Sequence, residues 1–253
     1  MKRRIFFLCA ILLLAFPADA SQLPVVRVFG EITYEVQLAG GFFSRHRSYE
    51  FKSVTQGSGF VLTTRNGPYI VTAAHVLAGP AYLAVVGDGD VIVDLSSPRA
   101  TLTSQSFRVR VSELSLRPVS IFLDRDRDVA ILALSSDDWR QLRTPSFRLW
   151  QLSPSTIRSQ VTIYGFPGQA SAPTLHTARV ADIQRDFFSV DQSFGPGFSG
   201  GPVVDARNRL MGMVSRSTET HTRAVSQTVI EDIMRDLSSK MSPLTEPHVI
   251  YIE

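Results

Sequence analysis

Cysteine is almost absent from this chain. Its one cysteine, Cys9, lies in an apolar run near the N-terminus, so no pair of cysteines can form an intramolecular disulfide. This excludes the small secreted domains whose fold depends on a disulfide framework. We therefore expect the chain to supply one large two-lobed domain that is held together by its core alone.

Long hydrophobic runs are scarce as well, and the one that exists begins at Ile5 and ends at Phe16. Basic residues precede it, and an Ala-Asp-Ala sequence that ends at Ala20 follows it. This pattern predicts a secretory signal peptide over residues 1–20, cleaved after Ala20. The alternative is an uncleaved membrane anchor, but the run is shorter than the ~20 residues that a spanning helix needs. We expect a secreted or periplasmic protein without a stable membrane anchor after cleavage.

Neither sign of charge dominates the chain. The formal net charge is +3, and cleavage would remove three basic residues and Asp19, which leaves +1. Basic pairs such as Arg108 and Arg110 are interpreted as solvated faces. This balance lacks the strong basic excess of a nucleic-acid-binding domain, so no nucleic-acid partner is expected.

The rest of the sequence has the pattern of an all-β protein. Short apolar segments alternate with turn signals, and residues 107–111 (Phe-Arg-Val-Arg-Val) show the period of two that a half-buried strand requires. Asn66 and Gly67 lie between two such segments and predict a hairpin turn. Strands are predicted at residues 25–29, 32–38, 59–63, 69–73, 82–86, 91–95, 107–111, 119–123, 129–134, 161–164, 177–183, 187–190, 201–204 and 210–215.

The strands predict two lobes and a C-terminal helix. The first lobe covers about residues 24–135 and the second about residues 150–226, with residues 135–149 as the connection. Residues 228–231 (Thr-Val-Ile-Glu) have the spacing of a capping box, and the apolar residues that follow share one helical face. A helix is thus predicted over about residues 228–238, at the end of a domain that spans residues 21–241. Residues 242–253 form either a tail or an added edge strand.

Ser199 lies in a glycine-rich segment, residues 197–202 (Gly-Phe-Ser-Gly-Gly-Pro). Glycine permits backbone conformations that bring N–H groups close to a serine oxygen, and such groups can stabilise an oxyanion. Taken alone, the segment also fits an ordinary turn. Serine becomes a nucleophile only when an imidazole accepts its proton and an acid orients that imidazole.

Residues 72–76 (Thr-Ala-Ala-His-Val) supply the candidate base, His75, at the end of a predicted apolar strand. The candidate acid is Asp128, which begins residues 128–132 (Asp-Val-Ala-Ile-Leu) and comes directly before a predicted strand. Asp126 is the alternative acid, and a charged, solvated turn is the alternative interpretation of this acidic segment. The remaining histidines are interpreted as structural or surface residues: His46, His176, His221 and His248.

These segments resemble the motifs of the chymotrypsin/trypsin-like serine peptidases, in particular the bacterial trypsin-like peptidase domains. The chain order His75, Asp128, Ser199 is that of the chymotrypsin fold. The resemblance covers about residues 56–237, because further segments are also similar to strands of the family: 56–61, 163–168, 203–205 and 211–215.

The resemblance implies an all-β fold of two six-stranded antiparallel β-barrels with a C-terminal helix. It implies a serine endopeptidase that acts on a protein or peptide substrate through an acyl-enzyme, with no cofactor and no metal. The first barrel would supply His75 and Asp128, and the second would supply Ser199. The N–H groups of Gly197 and Ser199 would form the oxyanion hole.

The resemblance also assigns substrate-binding residues. Ser215 would lie beside the acid, and the backbone of Ser215, Arg216 and Ser217 would pair with an extended substrate. Ser193 would form the base of the primary pocket and Phe194 would narrow it, which favours small or apolar residues before the scissile bond. Arg216 could instead attract an acidic substrate residue.

Two features depart from better-known members. Phe198 stands where animal digestive enzymes carry an aspartate that pairs with a newly cleaved N-terminus, so no such zymogen switch is expected. We also expect no C-terminal peptide-binding module of the kind found in bacterial quality-control proteases. Two other functions remain open: a binding protein of the same fold that no longer cuts, and an esterase or other acyl transferase.

Overall fold

The computed structural model describes residues 24–38, 47–78, 82–85, 91–94, 100–111, 114–142, 144–240 and 248–251. The predicted signal peptide, residues 1–20, lies outside this part of the chain. The first lobe begins with nine strands: β1 (Val25–Leu38), β2 (Arg47–Thr64), β3 (Gly67–Thr72), β4 (Tyr82–Val85), β5 (Val91–Asp94), β6 (Ala100–Val111), β7 (Leu114–Leu116), β8 (Ser120–Asp124) and β9 (Val129–Ala133).

The remaining strands are β10 (Phe147–Arg148), β11 (Gln160–Gly165), β12 (Thr174–Ile183), β13 (Phe187–Val190), β14 (Pro202–Val204), β15 (Leu210–Ser217), β16 (Thr222–Ser226) and β17 (His248–Tyr251). The helices are α1 (Ala74–Ala78), α2 (Ser136–Leu142), a 3₁₀ turn (Leu149–Gln151) and α3 (Gln227–Lys240). The predicted all-β class with a C-terminal helix is therefore confirmed.

The second lobe is a closed barrel of six strands in the order β11-β12-β13-β16-β15-β14, and every pairing in it is antiparallel. Its interior is filled by its own apolar cluster, which includes Ile163, Phe188 and Val203. This barrel matches the six-stranded barrel expected for the second lobe.

The first lobe holds more strands than the six expected. Its described strands form a nine-stranded sheet in the order β17-β8-β9-β3-β2-β1-β6-β7, with β10 paired to β2. The strands β4 and β5 form a separate hairpin. The surplus comes partly from two short strands that add in parallel, β10 to β2 and β17 to β8. Residues 248–251 thus follow the edge-strand alternative that the sequence left open for the C-terminal segment.

Gly30, which stands between two predicted strands, lies inside one long strand. The predicted strands at residues 25–29 and 32–38 are one strand, β1, which passes straight through Gly30. A Cβ atom at Gly30 would lie 2.6 Å from Thr55 Oγ1 and 3.0 Å from the carbonyl oxygen of Val76. Glycine is required here for close approach between neighbouring segments and not for a turn.

The helix α2, which the sequence did not predict, has a local cause. The segment after β9 begins α2 because Ser135 and Asp138 cap it: Ser135 Oγ donates to the Asp138 carboxylate at 2.7 Å and accepts from the Asp138 N–H at 3.1 Å. The helix α3 begins one residue before the predicted start. Its apolar face is buried in the cluster that fills the first lobe, through residues that include Ile230, Ile233, Met234 and Leu237. No helix in the described part of the chain is long and apolar enough to span a membrane.

Candidate active site

The structure brings His75 and Asp128 into direct contact. His75 Nδ1 lies 3.0 Å from each carboxylate oxygen of Asp128, and the His75 backbone N–H donates to Asp128 Oδ1 at 3.0 Å. The Asp128 side chain is 8% exposed and that of His75 is 36% exposed. A buried carboxylate therefore holds one ring nitrogen of a partly accessible imidazole, while Asp126, the alternative acid, lies exposed in the preceding turn.

Local structure explains why the two residues meet. The strand β3 ends at Thr72, and His75 is the second residue of α1. Asp128 closes the turn between β8 and β9, where Asp124 Oδ1 accepts the N–H of Arg127 at 2.9 Å. Asp128 has φ +57°, a left-handed conformation that aspartate tolerates better than most residues. This conformation ends the turn and places the carboxylate against α1.

The surroundings of Asp128 keep its carboxyl ionised. Burial by itself raises the pKa of this group, but the hydrogen bond and charge of His75 and the hydrogen bond from Ser215 act in the opposite direction. The combined effect is an Asp128 pKa below the ordinary value of an aspartate. The acid is thus poised to remain a carboxylate beside the imidazole.

The turn that carries Ser199 depends on glycines in the left-handed region. Gly197 has φ +101° and Gly200 has φ +85°. A Cβ atom at Gly200 would lie 2.1 Å from the carbonyl oxygen of Ser58, and one at Gly197 would lie 2.2 Å from that of Phe166. Any other residue at these two positions would strain the backbone and displace neighbouring main chain.

Ser58 of the first lobe anchors this turn. Its hydroxyl donates to the carbonyl of Gly197 at 2.6 Å and accepts the N–H of Phe166 at 2.9 Å, and its own N–H donates to the carbonyl of Ser199 at 2.8 Å. The Ser58 side chain is fully buried, and its carbonyl accepts the hydroxyl of Thr72 at 2.6 Å. Strand β2 therefore fixes the backbone on both sides of Phe198.

Ser215 bonds to both the serine and the acid, through its backbone carbonyl and its hydroxyl respectively. Ser199 Oγ donates to the carbonyl of Ser215 at 3.2 Å, and Ser215 Oγ donates to Asp128 Oδ2 at 2.5 Å. In this conformation the Ser199 hydroxyl points to β15 and makes no hydrogen bond with His75. Among the described residues, the N–H groups of Gly197 and Ser199 donate to no protein acceptor, so both are available to a bound group.

The residues predicted to bind substrate lie together beside this turn. Ser193 Oγ donates to the carbonyl of Thr218 at 2.5 Å, and the Phe194 N–H donates to Thr222 Oγ1 at 3.1 Å. Thr222 Oγ1 also lies 2.9 Å from Ser217 Oγ, so one buried threonine joins two of the predicted segments. Arg216 is exposed on β15.

The family model of the trypsin-like peptidase domain matches residues 57–213, which is more than half of the chain and includes His75, Asp128 and Ser199. The chain belongs to the trypsin-like peptidase family. No curated protein matches it in sequence.

Solved trypsin-like structures share this fold at low sequence identity. The protease Rv3671c of M. tuberculosis in its active form is 18% identical, with a TM-score of 0.57 over 89% of this chain and 85% of that one. The inactive form of Rv3671c, a serine-to-alanine mutant, is 18% identical with a TM-score of 0.54 over 88% and 90%. The MamO protease domain of Magnetospirillum magneticum is 17% identical with a TM-score of 0.54 over 88% and 98%.

Sequence reasoning missed several residues that shape the site of this trypsin-like peptidase domain. Ser58 and Thr72 were noticed only as parts of family-like segments, and Thr222 carried no local signal. His176 is exposed, in agreement with its interpretation as a surface residue, and its ring lies 5.4 Å from that of Phe194 and 5.3 Å from that of Phe198. These residues act through contacts between distant segments, which a motif does not display.

Proposed function

We propose that this protein is an exported serine endopeptidase that hydrolyses peptide bonds through an acyl-enzyme. The observation that carries the proposal is the contact of His75 Nδ1 with both oxygens of a buried Asp128 carboxylate, next to a serine in a glycine-rich turn. The export part rests on residues 1–20, so the mature protein would begin at Ser21. Mass spectrometry of the protein from the producing cell should find this N-terminus, and a retained leader would contradict the proposal.

The proposed reaction begins when Ser199 Oγ rotates from the Ser215 carbonyl toward His75 Nε2. The oxygen attacks the substrate carbonyl carbon while Nε2 accepts its proton, and Asp128 stabilises the resulting imidazolium. The N–H groups of Gly197 and Ser199 receive the oxyanion. The C–N bond then breaks as His75 protonates the leaving amine. Water next attacks the acyl-enzyme, with His75 again as the base, and the carboxylic acid leaves as Ser199 regains its proton.

The proposed primary pocket is lined by Ser193, Phe194 and the backbone of Ser215–Ser217. Phe194 is buried against Phe198, with ring centroids 5.4 Å apart, and so it limits the depth of the pocket. Small or apolar residues are therefore the proposed preference before the scissile bond, and Arg216 offers the alternative of an acidic residue. A library of peptide substrates separates these two preferences.

A non-cutting binding protein is the second candidate. One observation favours it: the Ser199 hydroxyl bonds to the Ser215 carbonyl and not to His75. Fluorophosphonate labelling of the protein comprising residues 21–253 distinguishes the two, because this reagent reacts only with an activated serine. We expect labelling of the wild type and of the exposed control Ser171→Ala, and none of Ser199→Ala or His75→Ala. An unlabelled, folded wild type would contradict the peptidase proposal and support the binding protein.

A further inference from the structure

Three arginines meet on the outer face of the first lobe. Successive side chains of β1 and β6 point to opposite faces of the sheet. Val28 and Val109 are buried, and the residues that flank each of them in sequence lie on the outer face. The register places Arg27 opposite Arg110 and Phe29 opposite Arg108. We call the surface formed by Arg27, Phe29, Arg108 and Arg110 the arginine face. Like charges opposite each other on a sheet destabilise it, so the pair of Arg27 and Arg110 carries an electrostatic cost that a bound anion would relieve.

Two of these arginines, Arg27 and Arg110, contact aromatic rings, and none of the three has an acidic partner among the described residues. Arg27 Cζ lies 5.0 Å from the ring centroid of Phe166 and 5.8 Å from that of Phe29, and Arg110 Cζ lies 5.4 Å from the latter. Nη2 of Arg27 is buried without a hydrogen-bond partner. Within the described ranges, no carboxylate forms an ion pair with any of the three arginines.

The nearest acid on the same strand is already occupied. Glu31 follows Phe29 on the outward side of β1, and its carboxylate pairs with Lys52 Nζ at 2.7 Å. Burial, and then the charge of Arg110, lower the pKa of Arg27, which is the direction expected of a guanidinium that lacks a counter-charge. The arginine face therefore has capacity for an anionic group that the described residues do not supply.

The arginine face is continuous with the turn that carries Ser199. The carbonyl of Phe166, whose ring Arg27 covers, lies against Gly197, and it also accepts Gln56 Nε2 at 3.5 Å. The face thus reaches Ser199 from the side of Gly197. The segment Ser215–Ser217, proposed to pair with residues before the scissile bond, reaches Ser199 from the side of its hydroxyl. A substrate held along β15 would lead its later residues toward the arginine face.

We propose that the arginine face binds acidic side chains of the substrate polypeptide that follow the scissile bond, an assignment that rests on the proposed peptidase function. Guanidinium groups suit carboxylates because they donate parallel hydrogen bonds in a planar fork. Phe29 and Phe166 hold the arginine side chains by stacking, so less side-chain freedom is lost when a carboxylate binds. Polypeptide is the partner because the face adjoins the proposed nucleophile.

The kinetic test compares two internally quenched peptides that differ only after the cleaved bond. One carries Glu and the other Gln at the second and third positions beyond it. At about 20 mM salt we expect kcat/KM to be about fivefold higher for the Glu peptide, and at about 500 mM salt the ratio should approach one. Because the ratio compares two substrates of the same enzyme, a general loss of activity in a variant cancels.

Substitution assigns the effect to the face. The ratio of kcat/KM for the Glu peptide to that for the Gln peptide should fall to near one in Arg27→Gln/Arg110→Gln. It should fall in part in Arg108→Gln, a single change at an exposed residue that tests the face even if the double variant misfolds. It should persist in Arg207→Gln, an exposed arginine in the turn after β14, at the end of that strand away from Ser199. A wild-type ratio near one overturns the proposal, as does a ratio that these arginine variants leave unchanged.

A binding test separates this proposal from the peptidase proposal. The Ser199→Ala protein is titrated with the fluorescein-labelled Glu peptide and followed by fluorescence anisotropy. Binding that is lost when Arg27→Gln/Arg110→Gln is added supports the arginine face, even if the wild type fails to react with a fluorophosphonate. Equal binding with and without these substitutions overturns it. Displacement of the peptide by oligothymidylate at lower concentration than by unlabelled Glu peptide also overturns the assignment to polypeptide.

Discussion

At the scale of single residues, the buried hydroxyl of Ser58 connects the two lobes at the turn that presents Ser199. It satisfies the carbonyl of Gly197 and the N–H of Phe166, both of which are main-chain groups beside the proposed oxyanion hole. Removal of this hydroxyl leaves two buried polar groups without a partner, at a cost of about 1–3 kcal/mol. The turn should then lose its fixed conformation.

Ser58→Ala should therefore lower kcat/KM for a peptide substrate by about tenfold to a hundredfold, less than the loss of an oxyanion donor itself. Affinity for a peptide boronic acid, which forms a tetrahedral adduct, should fall by a similar factor, whereas KM should change little. The measurements are steady-state kinetics, inhibition constants and hydrogen exchange of the 195–201 segment.

Thr64→Val is the matched control. Thr64 is buried on the same strand, and its hydroxyl likewise donates to a carbonyl, of Gly67, and accepts an N–H, of Asn66. This variant should lose similar stability and keep its kinetics and the exchange rate of the 195–201 segment. Equal kinetic losses in the two variants would show that Ser58 acts through stability alone.

Ser215→Ala should change how stability depends on pH. The pKa of Asp128 in the folded protein lies below the ~3.9 of an unfolded aspartate, so its carboxylate stabilises the fold above about pH 4. The stabilisation by the Asp128 carboxylate is lost as pH falls through the pKa that this group has in the folded protein. Removal of the Ser215 hydroxyl raises that pKa, so the variant should be less stable by about 1–3 kcal/mol at pH 6 and approach the wild type below pH 4.

Urea denaturation between pH 3 and pH 6 measures this convergence. Ser217→Ala provides the comparison, because the Ser217 hydroxyl bonds to Thr222 and to no titratable group. Its stability deficit should stay constant over the same range. Parallel curves for Ser215→Ala and the wild type would contradict the account of the Asp128 pKa.

The motifs around His75 and Asp128 identify two residues that are in contact, and Ser199 is connected to Asp128 through Ser215. Each of these motifs is carried by a short local sequence, so sequence alone could point to them. The partners that position them were not evident from sequence. Ser58 and Gly197, for example, are 139 residues apart, and a hydroxyl that bonds to main chain leaves no pattern in the sequence around it.

At the scale of elements, α3 follows the second lobe in sequence and joins both lobes in the core. Its apolar residues belong to one cluster with residues of β3, β8 and β9 and of the barrel strands β15 and β16. Leu237→Ala should lower the free energy of unfolding by about 2–5 kcal/mol, because the side chain is 1% exposed and leaves a cavity. The value can be measured by chemical denaturation.

Arg235→Ala on the exposed side of α3 is the control for this prediction. Its guanidinium pairs with Asp232 at 2.9 Å, and both side chains are more than half exposed. Such pairs contribute little, so the change should stay within about 0.5 kcal/mol. A loss as large as that of Leu237→Ala would mean that α3 is held by its surface charges and not by its apolar face.

Element types followed from sequence more readily than element lengths and partners. The face of α3 was evident because four apolar residues recur at helical spacing. The continuity of β1 was not, since a glycine that allows close approach looks the same in sequence as a glycine that makes a turn. The parallel additions of β10 and β17 depend on which sheet edge is free, and only the folded chain reveals that edge.

At the scale of the whole molecule, the two lobes share contacts that a single lobe could not make. Leu210, Met213 and Val225 of the barrel strands belong to the same apolar cluster as the first lobe and α3. The Ser58 contacts with Gly197 and Ser199 cross between the lobes as well. The position of Ser199 relative to His75 is thus determined by core packing and by backbone hydrogen bonds together.

The placement of α3 and β17 divides the first lobe in sequence. The barrel that carries Ser199 lies between its parts, since residues on both sides of the barrel contribute to that lobe's core and sheet. The first lobe in turn holds the Ser199 turn through the contacts of Ser58. Segments before and after the barrel therefore support the one turn on which the proposed nucleophile depends, so a change that loosens α3 should be felt at Ser199 as well as in the first lobe.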